Sequence, residues 1–202
     1  MGDLGEANCA TQRLLIDNSR LMEAHWNNLM DLSECIFRKL IDFDKDGLDA
    51  DFLCAGPSIR GCREVEDFIS ALRKQVPKSQ GVSLVPEVPI GVAAALGAHF
   101  TDYRTRLDRS IAGYGLRPPK DVTVIILTNG LWVDNDDQKV EVENAIIGFV
   151  EELKRSRRGH FSNRGFSIQL VQFGDDPRVT EAFKKLDDGI VHGSGEYVAF
   201  GE

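Results

Sequence analysis

The chain is 202 residues long, 42% hydrophobic and 28% charged, enough for one soluble globular domain with a large core and marginal for two. Its formal net charge of −8 and pI near 5.1 exclude a general nucleic-acid binder, whose footprint is basic. No apolar run reaches membrane-spanning length, and the opening MGDLGEANCATQ lacks the basic and apolar regions of a signal peptide.

Residues 1–11 read as a polar, flexible tail, and 12–202 as a single domain. Glu6 stands where N-myristoylation needs Ser or Thr. The first structured stretch is RLLIDNSRLM, in which Leu14, Leu15 and Ile16 run straight into Asp17, Asn18 and Ser19. A short unalternating apolar run suits a strand buried on both faces of a parallel sheet. A helix is expected over 24–41, with Leu29, Leu32, Ile36 and Leu40 on one side. The acidic turn DFDKDG stops it, and a second strand is expected over 48–54.

The loop AGPSIRG then leads to a helix over 63–75, where Val65, Phe68, Ile69 and Leu72 fall at helical spacing. Residues 77–89 hold three prolines and a glycine and read as loop, and a helix over 90–107 carries Val92, Leu96, His99, Phe100 and Tyr103 on one stripe. After the breaker cluster GYGLRPPKD comes VTVIIL, the clearest strand, apolar on both parities and hence central. It ends in Thr128, Asn129 and Gly130. A helix over 138–157 buries Val142, Ala145, Ile146, Phe149, Val150 and Leu153. A strand over 166–173, a helix over 177–186 and a last strand over 196–200 complete the pattern, which predicts one doubly wound, mostly parallel α/β sheet.

Several familiar chemistries are missing. There is no GxGxxG after the first strand, no GxxxxGK[ST] and no GxSxG elbow, so nucleotide and hydrolase readings lose their best support, and Ser58 reads as a turn residue. DFDKDG begins like a calcium loop but fails, with Asp49 at the apolar eighth position and Leu53 where a bidentate Glu is needed. His99 reads as a core or boundary histidine, and His25, His160 and His192 share no metal spacing. Lys154, Arg155, Arg157 and Arg158 gather at a helix C-terminus, where the dipole alone favours cations. The four cysteines (Cys9, Cys35, Cys54 and Cys62) lack paired metal spacing and read as free thiols of a reducing compartment, so a cytoplasmic location is expected. What remains is the sheet's carboxyl edge, where Asp17 to Leu21, the loop of Glu87 to Gly91, and Thr128 to Gly130 are expected to converge.

Taken together, LLIDNS, DKDGLDADFL, PIGVAAALGAHF, VIILTNG and SIQLVQFGDDPRVTEAFKKLDD make nearly the whole chain resemble a von Willebrand factor A domain, of the intracellular type common in fungal proteins. The resemblance implies a Rossmann-like sheet with helices on both faces. It also implies a metal-ion-dependent adhesion site, built from DxSxS, a loop Thr and an Asp after the central strand, where a partner's acidic side chain completes Mg²⁺ or Mn²⁺. Asp17 and Ser19 match its first two positions, while Leu21 replaces the second Ser, Val88 the Thr and Asn129 the Asp. Leucine and valine offer no side-chain oxygen and asparagine a neutral one, so any cation would be held weakly, by Asp17, Ser19 and Asn129. Arg20 sets a permanent positive charge beside that seat, and Glu87 is the nearby carboxylate able to compensate.

The expectation is a scaffold or adhesion-type protein-interaction module without a cofactor, binding another protein through Asp17, Ser19, Arg20, Leu21, Glu87, Val88 and Asn129. Arg20 would take a partner's carboxylate directly. Two alternatives stay open: metal-dependent binding of an acidic partner with Mg or Mn, and an enzyme using Asp17 as base and Arg20 as anion holder. Neither nucleic acid nor membrane is expected as a partner.

Overall fold

The computed structural model describes residues 11–43, 46–54, 56–77, 91–112, 120–134, 136–157, 165–187, 190–191 and 197–198. Five strands form the main sheet in the order β3-β2-β1-β4-β5: β1 (Thr11–Ile16), β2 (Leu48–Phe52), β3 (Ile59–Cys62), β4 (Val122–Thr128) and β5 (Phe166–Gln172). All neighbours are parallel except β2 and β3, which pair antiparallel. The helices are α1 (Trp26–Leu40), α2 (Val65–Arg73), α3 (Val92–Ala112), α4 (Asp136–Arg157) and α5 (Pro177–Asp187), and 3₁₀ segments at Arg20–His25 and Leu131–Asp134 follow β1 and β4. The fold is thus α/β with a mostly parallel, Rossmann-like sheet.

Side-chain alternation divides the core. Leu14, Ile16, Ile125 and Leu127 point to one face and pack with α1 and α2 through Leu29, Phe37, Phe68 and Leu72. Leu15, Val124 and Ile126 point to the other and meet α3 and α4 through Leu96, Phe100, Ile146 and Phe149. Both faces of β1 and β4 are therefore dry, which is why their sequences do not alternate. On the second face Phe100 stacks on Phe149 at 4.0 Å between centroids, and Phe166 meets both edge-on, locking α3, α4 and β5 together.

Several expectations are corrected. Strand β1 opens at Thr11, whose N–H donates to Asp121 at 2.7 Å. The first helix begins as a 3₁₀ segment, and its buried face is Trp26, Leu29, Ser33 and Phe37, with Leu32, Ile36 and Leu40 only partly covered. Ser33 in mid-face hid that pattern. The loop AGPSIRG contains β3, an edge strand too short and polar to alternate. The last strand, β7 (Tyr197–Val198), pairs antiparallel with β6 (Ile190–Val191) in a separate two-stranded sheet. In the part of DFDKDG that is described, residues 42 and 43 turn out of α1, Asp46 pairs with Lys120, and Gly47 adopts φ 85° against the Gly61 backbone ahead of β2. Asp176 caps α5, accepting the Arg178 N–H at 2.9 Å ahead of Pro177. The Arg178 guanidinium and N–H hold its carboxyl at about 2.

The loop expected over 77–89 lies outside the described residues from 78 onward, as does most of GYGLRPPKD. Among the described residues no helix is long and apolar enough to cross a membrane.

Two glycines predict opposite outcomes. At Gly47 a Cβ would lie 2.6 Å from Gly61 backbone atoms, so Gly47→Ala should destabilise by about 2–4 kcal/mol. Gly97 sits in α3 with open space around it, so Gly97→Ala should stabilise by about 0.5–1 kcal/mol. Urea titration of both variants reads the two signs.

Candidate functional site

The ends of β1 and β4 lie side by side, with Ile16 in register with Leu127. From β1 the chain winds outward to β2, and from β4 it winds the opposite way to β5. This reversal is the topological switch point, where crevices open in sheets of this kind. The Asp17 N–H donates to the Leu127 carbonyl at 2.9 Å, so the ladder continues one residue past β1 and fixes the side chain's direction.

The Asp17 carboxylate, 5% exposed, is held from two sides. Its Oδ1 accepts the Ser19 N–H at 2.9 Å, and its Oδ2 accepts the Thr128 hydroxyl at 2.7 Å. That hydroxyl in turn accepts the Gly130 N–H at 2.9 Å. A carboxylate is costly to bury without such donors. Asn18 turns the other way, its Oδ1 accepting the Cys54 N–H at 2.8 Å and tying down the loop after β2.

Asn129 is 6% exposed and clamps two loops. Its Nδ2 donates to the Leu21 carbonyl at 3.0 Å, and its Oδ1 accepts the Leu131 N–H at 3.2 Å. Gly130 follows with φ 73°, and a Cβ there would collide with Val179 and Phe183 of α5. The loop after β4 is thereby locked on both sides.

Beside this frame the accessible groups stand apart. Arg20 is exposed, and Leu21 is 61% exposed despite being apolar. Ser19 opens the 3₁₀ segment without capping it through its hydroxyl. Asp17, Ser19, Leu21 and Asn129 line a cleft of about 210 Å³, whose walls include Leu53, Gly91, Val92, Leu131, Trp132 and Gln138. Gly91 ends the loop expected to converge here; Glu87 and Val88 lie outside the described residues. A larger hollow of about 380 Å³ sits against β5, lined by Ile146, Leu170, Phe183 and Leu186. The polar groups converge on the smaller cleft, which makes it the candidate site.

Of the residues singled out in the sequence, the structure brings Asp17, Ser19, Leu21 and Asn129 to one cleft, with Asp17 and Asn129 as its buried frame, and Arg20 stands exposed between Ser19 and Leu21. Sequence reasoning missed the roles of Thr128 and Asn18. A hydroxyl ending an otherwise apolar strand was the available signal for the first.

Mg²⁺ takes near-octahedral oxygen coordination. The described oxygen-bearing side chains lining the cleft are Asp17, Ser19, Asn129 and Gln138; both Asp17 oxygens already accept hydrogen bonds, and the Asn129 carbonyl accepts from Leu131. The Leu21 carbonyl is likewise engaged by Asn129. Among the described residues lining the cleft, Asp17 is the single carboxylate that such a cation would meet. Among the described residues no cluster of three or more His, Cys, Asp or Glu could hold a metal ion.

Compared with models of known families the chain matches none, and no curated protein matches it significantly.

Thr128→Val tests the frame. It leaves Asp17 Oδ2 and the Gly130 N–H buried without their partner, so it should cost about 2–4 kcal/mol in chemical denaturation. Thr128→Ser should recover most of that loss.

Proposed function

We propose that this chain is a protein-interaction module of the von Willebrand factor A type, binding an acidic partner at the carboxyl edge of its sheet without a metal ion. The observation that carries this reading is the rim of the switch-point cleft. There an exposed apolar side chain, Leu21, lines the cleft, and next to it in the chain stands an exposed cation, Arg20, both on a 3₁₀ segment whose backbone is anchored by Asn129. In the family it resembles, a cation joins the site to a partner's carboxylate. Here the guanidinium of Arg20 takes that part, since it pairs with carboxylates in two-point fashion and needs no coordination shell. Leu21 adds apolar contact beside it.

A reducing, cytoplasmic setting belongs to this reading, supported by Cys35, Cys54 and Cys62, none of which is in a disulfide.

The decisive experiment is affinity enrichment in EDTA with the wild type and with the double variant Arg20→Glu/Leu21→Ser. Both substituted positions are exposed, so folding should be untouched. The expected result is that partners held by the wild type in EDTA are lost by the variant. Unchanged retention by the variant rules out this surface.

A thermal melt with excess Mg²⁺ or Mn²⁺ against EDTA addresses the metal directly. A cation present at about 100 times its dissociation constant would stabilise by roughly 2.7 kcal/mol, raising the midpoint by on the order of 5–10 °C. No shift is expected, and one of that size would move the function to metal-dependent adhesion.

A further inference from the structure

Below the cleft, the sheet face covered by α3 changes character. Leu15 and Leu53 are dry on this face, but one step down the strands lie Arg13 and its register partner Asp49, with Asp51 next along β2. Helix α3 lays His99 and Asp102 over them. The Arg13 guanidinium reaches Asp102 at 2.8 Å, His99 Nδ1 at 3.3 Å and Asp49 at 3.8 Å. His99 Nε2 faces Asp51 Oδ2 at 3.5 Å, while Asp51 Oδ1 is taken by Ser58 and Arg60 from the β3 side. Arg106 holds Asp102 from its own helix.

This geometry fixes the tautomer. A guanidinium only donates, so Nδ1 is the acceptor and the neutral ring carries its proton on Nε2, toward Asp51. A second proton has one place to go, Nδ1, and Arg13 is already there. Its arrival removes the acceptor and sets two cations 3.3 Å apart. His99 is 5% exposed, so water does little to screen them. The same helical stripe carries Val92, two turns away, into the wall of the switch-point cleft.

We propose that His99 is a proton-operated pin: the neutral ring fastens α3 to β1 through Arg13, and protonation loosens the α3 wall of the cleft. As regulation of binding this rests on the cleft reading, whereas the pin itself does not.

The pH window follows from the groups around the ring. Burial first, then Arg13 and Arg60, hold His99 below its ordinary 6.5 against the opposite pull of Asp51 and Asp102. A histidine lowered in the fold contributes stability that is complete above 6.5 and is lost as pH falls from there toward the folded value. Burial alone would raise Asp51 and Asp102. Hydrogen bonds from Arg60 and Ser58 in the first, and from Arg13 and Arg106 in the second, outweigh it and keep both below 3.8, so their contributions fade only in stronger acid.

The test follows the His99 ring by NMR in the full chain from about pH 8 to about pH 4.5, through the histidine window and above the carboxylate one, alongside amide exchange of the first turns of α3. His99 should titrate below 6.5, and exchange protection should fall by up to about tenfold per pH unit over the same range. His99→Asn keeps an acceptor near Nδ1 but takes no proton, so its melting temperature should lose the slope seen in the wild type between pH 7 and 5. Titration at or above 6.5, or protection that persists through protonation, overturns the pin. If His99→Asn fails to fold, the wild-type titration and exchange still decide. If the pin behaves as described while Arg20→Glu/Leu21→Ser binds normally, the pin stands and the cleft reading alone falls.

Discussion

The hydrogen bond from Thr128 to Asp17 joins the two strands on which the rest of the molecule is hung. Strands β1 and β4 lie side by side in the interior of the sheet, in parallel register from Thr11 to Ile16. A parallel ladder says nothing by itself about how the chain should leave its carboxyl end. The buried carboxylate does, because it must find donors, and it finds them in the residue that ends β4 and in the turn that follows β1. Both exits are thereby fixed relative to one another, and the cleft between them takes its shape from that agreement.

Asn129 extends the same logic outward. By spending both ends of its amide on backbone groups of two loops, it converts a polar side chain into a brace. The exposed neighbours Arg20 and Leu21 are then displayed on backbone that is itself anchored. A rim of this kind pays little conformational entropy on binding, since the segment is ordered beforehand. The face beneath α3 shows the contrasting solution: there the polar groups are several and charged, and they neutralise one another around Arg13 and His99 instead of bracing a loop.

What the sequence disclosed depended on whether the signal was local. VTVIIL was legible as an interior strand because burial on both faces removes alternation, although the middle of the sheet is β1, and α4 was legible because its apolar stripe is unbroken. Strand β3 was not, since IRGC carries no pattern and becomes a strand only through the backbone of β2. The face of α1 was misplaced because a serine sits in its dry centre. At the site, Asp17, Ser19 and Asn129 could be read as a group from spacing and resemblance. The jobs of Thr128 and Asn129 could not, because their partners lie 111 and 108 residues away. The Arg13–His99 contact spans 86 residues and was invisible for the same reason.

The central position of β1 has a consequence for how the chain is made. It is made before the other strands of its sheet, yet one of its edges is completed only by β4, with Leu14 paired to Ile125 and Ile16 to Leu127. A nascent chain that ends after α2 holds β1, β2 and β3 with α1 and α2 over one face, and leaves Leu15 and the inner edge of β1 open to water and to other chains. The same strand that organises the finished protein is its stickiest surface until the second half of the chain arrives.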